Sequence, residues 1–128
     1  MIFLLDTSTP VCRLTIVDRD SRHEFEWQAD RQLAKGLLGW LHERLAEVGG
    51  DWSSITGLGV FMGPGSFTGL RIGITVINTL ADSLNVPVVG GRDDSWQTDV
   101  LSRLRNGQND RIVLPYYGSE ANITTPRK

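Results

Sequence analysis

The chain has 128 residues, of which 40% are hydrophobic and 22% are charged, and its net charge is −2. These values are typical of one soluble globular domain; they argue against two full lobes with a cleft between them and against a strongly basic nucleic-acid binder. The only cysteine, Cys12, excludes an internal disulfide and a pair of cysteine metal ligands.

The N-terminal sequence shows no targeting signal. Only four apolar residues precede Asp6, and no basic segment comes before them. This pattern fits neither a signal peptide nor a membrane span. Together with the cysteine content, it leads us to expect a cytoplasmic protein without membrane contacts.

The first 29 residues predict three strands in an antiparallel meander. Ile2–Leu5 is a short apolar run that ends at turn-forming residues, as in a buried central strand. Residues 11–18 alternate in polarity and place Cys12 on the buried face, where a free thiol usually packs as an apolar group. His23–Ala29 alternates again, and its pattern predicts a half-exposed strand.

Leu33–Val48 changes to the spacing of an amphipathic helix. We expect Asp30 to cap its N-terminus and Gly49-Gly50 to end it. Ile55–Met62 then predicts a fourth strand. Ser66–Leu84 predicts a second helix, with Ser66 as its N-cap.

The second predicted helix is apolar on two sides. A helix with two apolar faces is buried on two sides, and a sheet covers only one of them. The other side therefore requires another helix or a partner chain.

Val86–Val89 predicts strand 5, which we expect to end at Gly90-Gly91. The order βββαβαβ gives a mixed sheet with two main helices, and it resembles the single lobe of the ribonuclease-H-like fold found in actin-like ATPases. We divide the chain into this lobe, residues 1–91, and a remnant of a second lobe with a C-terminal tail, residues 92–128. In the second part we expect a short helix, capped by Asp94 or Ser95 and running through Arg105, and a strand at Ile112–Leu114.

The segment GPGSFTGLRIG, residues 63–73, opens the second helix but matches neither the P-loop nor the dinucleotide-binding fingerprint. Two interpretations stay open, a tight structural turn and an anion site at a helix N-terminus. The residues of the structural turn are Gly63, Gly65, Gly69 and Arg71. The candidate phosphate or anion contacts are Asp6, Thr7, Ser8, Gly65 and Ser66.

Asp6 ends the first strand, where a ribonuclease-H-like fold can hold a metal ion. A nuclease needs further carboxylates beside it, and none is obviously placed there. The two histidines, His23 and His42, lack the spacing of metal ligands. We therefore expect no metal, no cofactor and no catalytic residue.

Two motifs carry a resemblance to a known family. FLLDTSTPVC at residues 3–12 and GPGSFTGLRIG at residues 63–73 resemble the TsaB family, also called YeaZ, and YYGSEANITTPRK resembles the tail that closes its members. TsaB proteins are required for threonylcarbamoyladenosine at position 37 of bacterial tRNA. In this family TsaB is a non-catalytic paralogue of the transferase TsaD, whose metal-binding HxxxH is absent here.

The resemblance implies a scaffold that activates a TsaD-like enzyme and contacts tRNA only indirectly. It also implies a TsaE-like ATPase as a third component and a homodimer when the chain is alone, with both pairings made through the two helices. The implied interface residues are Leu37, Trp40, Leu41, Arg44, Leu70, Ile74, Ile77 and Asn78.

The chain departs from the family pattern in two places. Only Arg92–Arg111 stands where members carry a second lobe, and Thr75–Asn78 replaces small residues and a lysine in the second helix. The alternative function is a nucleotide-binding actin-like enzyme that uses Asp6, Thr7 and the Gly63–Gly69 loop. A nuclease based on Asp6 ranks below both.

Overall fold

The structure, a computed structural model, describes residues 1–117. Five strands form one mixed sheet with the spatial order β3-β2-β1-β4-β5. The strands are β1 (Ile2–Asp6), β2 (Val11–Asp18), β3 (Ser21–Gln28), β4 (Gly57–Gly63) and β5 (Val88–Arg92). The helices of this part of the chain are α1 (Leu33–Glu47), α2 (Phe67–Leu84) and α3 (Trp96–Arg105), with short 3-10 turns at Asp30–Gln32 and Trp52–Ser54.

The sheet combines an antiparallel and a parallel part. β1 pairs with β2 and β2 with β3 in antiparallel register, whereas β1 pairs with β4 and β4 with β5 in parallel register. The predicted order βββαβαβ and the predicted meander are therefore confirmed. Residues 118–128 of the family-like tail motif lie outside the described residues.

The helices cover both faces of the sheet. Trp40 of α1 stacks on Trp27 of β3, with ring centroids 5.5 Å apart. Trp27 pairs across the ladder with Cys12, so this face of β2 lies under α1. On the opposite face, a Cβ atom added to Gly59 would meet Val100 of α3. Side chains alternate between the faces of a strand, which places α1 and α2 on one side of the sheet and α3 on the other.

The helix boundaries confirm one predicted cap and correct another. The Ser66 hydroxyl accepts a hydrogen bond from the Gly69 N–H at 3.4 Å, as expected of an N-cap. Asp30 does not cap α1, because it lies in the preceding 3-10 turn with a φ of 48°. Gln32 occupies the N-cap position of α1, without a side-chain hydrogen bond.

The end of the sheet differs from the prediction. Gly90 and Gly91 lie inside β5 rather than after it. Close packing explains why glycine occupies both positions. A Cβ on Gly91 would lie 2.7 Å from Val100 of α3, and one on Gly90 would lie 2.6 Å from Val113. The predicted strand Ile112–Leu114 is wrong, since this segment runs without regular structure.

The outer edge of β5 is bonded to the segment that follows α3. The Asn109 side chain accepts from the Val88 N–H at 3.1 Å, and the Asp110 carboxylate accepts from the Gly90 N–H at 3.0 Å. Arg103 donates to the Gly90 carbonyl at 2.8 Å and pairs with Asp110 at 3.1 Å. Residues 96–117 are thus packed on the same sheet as the first 91. Among residues 1–117, no helix has both the length and the apolar content to cross a bilayer.

Candidate partner-binding surface

Most residues expected at the interface are buried inside the chain itself. Their exposed fractions run from 0% for Leu37 to 9% for Trp40. The buried ones are Leu37, Trp40, Leu41, Leu70, Ile74 and Ile77. A side chain that already packs in the core offers almost no area to a partner. Their place at an interface stays a prediction, and the surface that this chain leaves available for contact consists of their exposed neighbours.

The two polar residues of the expected interface are also engaged within the chain. Arg44 pairs with Glu47 at 2.8 Å, and its guanidinium carbon lies 5.8 Å from the centroid of the Trp40 ring. The Asn78 amide donates to the Val113 carbonyl and accepts from the Val113 N–H, both at 2.9 Å. Asn78 thereby holds the C-terminal segment on α2, a role that no local sequence pattern indicates.

The exposed sides of α1 and α2 form an apolar groove. Two large apolar side chains of this helix pair stand out, since Leu38 is 52% exposed and Phe67 is 56% exposed. Ile72 and Val76 are half-buried between the two helices. The groove encloses about 410 Å³ and is lined by Ala34, Phe67, Thr68, Arg71, Ile72, Thr75 and Val76.

A second hollow lies toward the other end of the helix pair. It encloses about 400 Å³ and is lined by Leu38, Gly39, His42, Trp52, Leu80, Ser83 and Leu84. The His42 ring stacks on Trp52 with centroids 5.3 Å apart, and a Cβ on Gly39 would meet nothing within 4 Å. Neither hollow is lined by an acidic residue of the described chain. We call the two hollows together the outer helix face.

The candidate anion loop is filled by its own chain. The Ser66 N–H donates to the Ser8 carbonyl at 2.9 Å, and the Ser8 N–H donates to the Asp6 carboxylate at 2.8 Å. Thr7 is fully buried, and its hydroxyl donates to the Gly69 carbonyl at 2.6 Å. Because these groups bind one another, the segments around Asp6 and Ser66 form one packed unit.

Close approach accounts for the glycines of this unit. A Cβ on Gly65 would collide with Ser8, and a Cβ on Gly69 or Gly73 would collide with Thr7. Gly63 has a φ of 134°, a conformation that L side chains rarely adopt. These contacts favour the structural turn over the anion site. Arg71 stands apart from the turn, exposed on α2 with its guanidinium carbon 5.3 Å from the centroid of the Phe67 ring.

The buried thiol is protonated at neutral pH. Burial and, to a smaller extent, the nearby Asp6 carboxylate together raise the pKa of Cys12 to about 12. A thiol with this pKa is a poor nucleophile. Within residues 1–117, no group of three or more His, Cys, Asp or Glu residues is arranged to hold a metal ion.

Residues 27–91 match the family model of TsaD, tRNA N6-adenosine threonylcarbamoyltransferase. Among curated proteins, the chain is 33% identical over 88 residues to the tRNA threonylcarbamoyladenosine biosynthesis protein TsaB of Haemophilus influenzae. It is 29% identical over 89 residues to the TsaB protein of Escherichia coli. The chain belongs to the TsaB family.

Solved structures agree with this assignment. YeaZ from Pseudomonas aeruginosa superimposes with a TM-score of 0.64 at 31% identity, over 72% of this chain and 44% of that one. A second structure, an uncharacterized protein from the same organism with similarity to peptidase YEAZ, gives a TM-score of 0.67 at 33% identity, over 72% and 43% of the two chains. The predicted ribonuclease-H-like, actin-like lobe is confirmed.

The similarity is confined to part of each relative. The aligned regions cover 69% of this chain but 37% of the Haemophilus influenzae protein, and 70% of this chain but 38% of the Escherichia coli protein. The match to the family model contains both α1 and α2, and hence the whole helical part of the outer helix face.

Sequence reasoning identified the two helices but missed the exposed residues on them. Leu38 adjoins Leu37 in the sequence, and Phe67 directly follows the N-cap Ser66. Their exposure depends on how α1 packs against α2, which a single-helix pattern does not specify.

Proposed function

We propose that this TsaB-family chain is a non-catalytic scaffold subunit in the threonylcarbamoyladenosine modification of tRNA at position 37. In this proposal the chain binds a TsaD-like transferase through the outer helix face and stabilises it. The observation that carries the proposal is the exposure of Leu38 and Phe67 at two hollows along the same pair of helices. Its known relatives are named for the biosynthesis of this nucleoside, which supplies the pathway.

The chemistry of this surface suits another apolar helix pair. A partner that covers exposed apolar side chains stabilises the complex. The contribution is about 1.5–3 kcal/mol for a leucine or phenylalanine that becomes fully buried. Because no acidic residue lines the two hollows, a partner can cover them without desolvating a carboxylate.

The partner that we propose has a related fold. The family model that matches this chain is that of the transferase itself, so the two proteins share the helix pair of the lobe. Two related lobes can meet through equivalent helices about a pseudo-twofold axis, and two copies of this chain can meet about a true one. We propose the heteromeric pair as the functional form and the homodimer as the form in its absence, with a TsaE-like ATPase joining the heteromeric pair.

Several contacts support a role without chemistry in this chain. The backbone donors of Ser8 and Ser66 are used inside the turn, and the Cys12 thiol is protonated. The rival interpretation as a nucleotide-binding enzyme would require the turn to open, since an added phosphate would compete with the contacts of Thr7 and Gly69. Calorimetric titration with ATP and magnesium tests this rival directly, and micromolar binding would favour it.

The docking experiment compares wild type with Leu38→Asp. Leu38 is 52% exposed, so the change leaves the core intact and places a charge on the outer helix face. Leu114→Asp is the matched control, because Leu114 is 68% exposed on the C-terminal segment. Ile74→Asp is unsuitable, since Ile74 is buried and the variant would lose its fold for an unrelated reason.

The readouts are the mass of the isolated chain by light scattering and its binding to the TsaD-like protein of the same organism by calorimetry. We expect wild type and Leu114→Asp to associate in both assays, and Leu38→Asp to lose at least tenfold in affinity, about 1.4 kcal/mol. Unchanged association of Leu38→Asp, or equal losses in both variants, would contradict the proposed docking surface.

A further inference from the structure

Two arginine–aromatic pairs lie where the parallel strands β4 and β5 end. Tyr117 stacks on Phe67 with centroids 4.7 Å apart and planes inclined by 21°. Arg71 covers Phe67, and the guanidinium carbon of Arg92 lies 4.4 Å from the centroid of the Tyr116 ring. We call these five residues the aromatic edge.

Four of the five residues of this edge are exposed, and Tyr116 is half-buried. Phe67 is 56% exposed and Tyr117 is 42% exposed, and both arginines are exposed. Within residues 1–117, neither Arg71 nor Arg92 pairs with a carboxylate, in contrast to Arg13, Arg44 and Arg103. Within the described residues, the edge therefore combines exposed aromatic side chains with two arginines that form no ion pair, while Asp93, Asp99 and Asp110 line the hollow beside Arg92.

The backbone holds Tyr116 and Tyr117 in place. The Tyr116 N–H donates to the Met62 carbonyl at 2.7 Å, and Val113, three residues earlier, is fixed by the two bonds to Asn78. The Tyr116 carbonyl lies so close to Gly63 that no Cβ fits there. This attachment orients the two rings before any ligand arrives, which lowers the entropy cost of binding.

We propose that the aromatic edge binds single-stranded RNA by stacking unpaired bases on Tyr116 and Tyr117 while Arg71 and Arg92 contact phosphates. Proteins recognise unpaired RNA bases by stacking them on aromatic rings and arginine planes. The ends of parallel strands in an open α/β sheet are also where such folds bind ligands. Two of the three rings of this edge contact an arginine, and because tyrosine and arginine are also enriched in protein interfaces, binding of a protein partner is the competing outcome that the experiment distinguishes.

This inference is separate from the proposed docking of a transferase. Phe67 and Arg71 belong to both surfaces, whereas Arg92, Tyr116 and Tyr117 line neither hollow of the outer helix face. Arg92→Gln therefore tests RNA binding without changing the docking surface, and Leu38→Asp tests docking without changing the aromatic edge. Tyr117 stacks on Phe67, so its variants are measured in both assays.

The experiment measures fluorescence anisotropy of a labelled single-stranded RNA about ten nucleotides long, a length within the usual site sizes of single-strand binders. We expect the complete chain to bind it at low salt, and Tyr117→Ala to weaken binding at least fivefold. Tyr117→Phe keeps the stacking face and should bind within twofold of wild type. Leu114→Ala controls for loss of an exposed side chain on the same segment, and Leu38→Asp should leave RNA binding unchanged.

Salt dependence gives a second, independent readout. If Arg92 neutralises one phosphate, Arg92→Gln should lower the slope of log affinity against log salt by about 0.7, the value for single strands. Fully base-paired RNA of the same sequence should bind more weakly, because its bases are not free to stack.

Three results would overturn the inference. The first is no binding of the single strand by wild type, and the second is equal binding by Tyr117→Ala and wild type. The third is loss of transferase binding by Tyr117→Ala with RNA binding intact, which would assign the edge to a protein partner. Thermal unfolding of each variant shows whether the fold is retained. If Tyr117→Ala fails to fold, the slope of log affinity against log salt for Arg92→Gln tests the inference alone, and a slope equal to that of wild type overturns it.

Discussion

The inner and outer rows of α2 carry similar apolar residues but are buried to different extents. The inner row, with Leu70, Ile74 and Ile77, is buried against the sheet. The outer row, with Ile72 and Val76, is half-buried and continues to the exposed Phe67. The difference teaches that apolar periodicity marks both rows, whereas burial within the chain separates the row that stabilises the fold from the row that can bind a partner.

The largest expected effect compares two isoleucines of one helix. Ile77→Ala leaves a cavity in the core and should lower the free energy of unfolding by about 2–5 kcal/mol. Ile72→Ala removes the same atoms from a half-buried position and should cost about 1 kcal/mol. Urea unfolding of both variants measures the contrast, and equal losses would mean that the two rows are equally buried.

A pair of glycines gives the next effect. Gly73→Ala places a methyl group against Thr7 and should destabilise the fold by about 1–3 kcal/mol. Gly39→Ala meets nothing within 4 Å and should stabilise α1, by up to about 1 kcal/mol, because alanine has the higher helix propensity. The same unfolding assay applies, and a stable Gly73→Ala would contradict the close contact between α2 and the turn at Thr7.

The burial of Cys12 can also be tested by the dependence of stability on pH. The pKa of Cys12 is raised from 9.0 to about 12 in the folded chain. Since the unfolded thiol ionises first, this group favours folding fully below pH 9, and its contribution falls as the pH rises toward 12. The expected slope is up to about 1.4 kcal/mol per pH unit. Cys12→Ala should remove that slope while tyrosine ionisation affects both proteins alike; an identical alkaline profile would show that the thiol is accessible to water.

The smallest effect on stability belongs to the outer helix face. Leu38→Asp should change the free energy of unfolding by no more than about 0.5 kcal/mol, as is usual for an exposed position, although it is expected to weaken association at least tenfold. Thermal unfolding at a concentration where the wild type is monomeric isolates the fold from the interface. A large loss in the free energy of unfolding would mean that Leu38 is part of the core, which would contradict its assignment to the exposed outer helix face.

Much of the fold follows from patterns that are local in the sequence. Alternating polarity and apolar runs gave β1, β2, β3 and β4, helical spacing gave α1 and α2, and Ser66 is a correct N-cap. The prediction that β5 ends at Gly90-Gly91 is wrong, because these glycines allow α3 and Val113 to pack closely on the strand and do not form a turn. That reason is a tertiary contact and leaves no signal in the neighbouring residues.

The candidate surface was predictable only as a pair of helices. Arg44 and Asn78 look available in the sequence, but Glu47 and Val113 already bind them. Tyr116 and Tyr117 were noted only as part of a tail motif. Their positions over Arg92 and Phe67 depend on contacts that span at least 24 residues and are invisible to local pattern.

The hydrogen bonds along β5 also bear on how copies of this chain behave when crowded. An open outermost strand invites a foreign strand to add to the sheet, which is how many proteins begin to aggregate. Asn109, Asp110 and Arg103 already occupy the Val88 N–H and both polar groups of the Gly90 backbone. An incoming strand would have to displace three side chains and an ion pair before forming its first rung, so growth of fibrils from this side is blocked by the native chain.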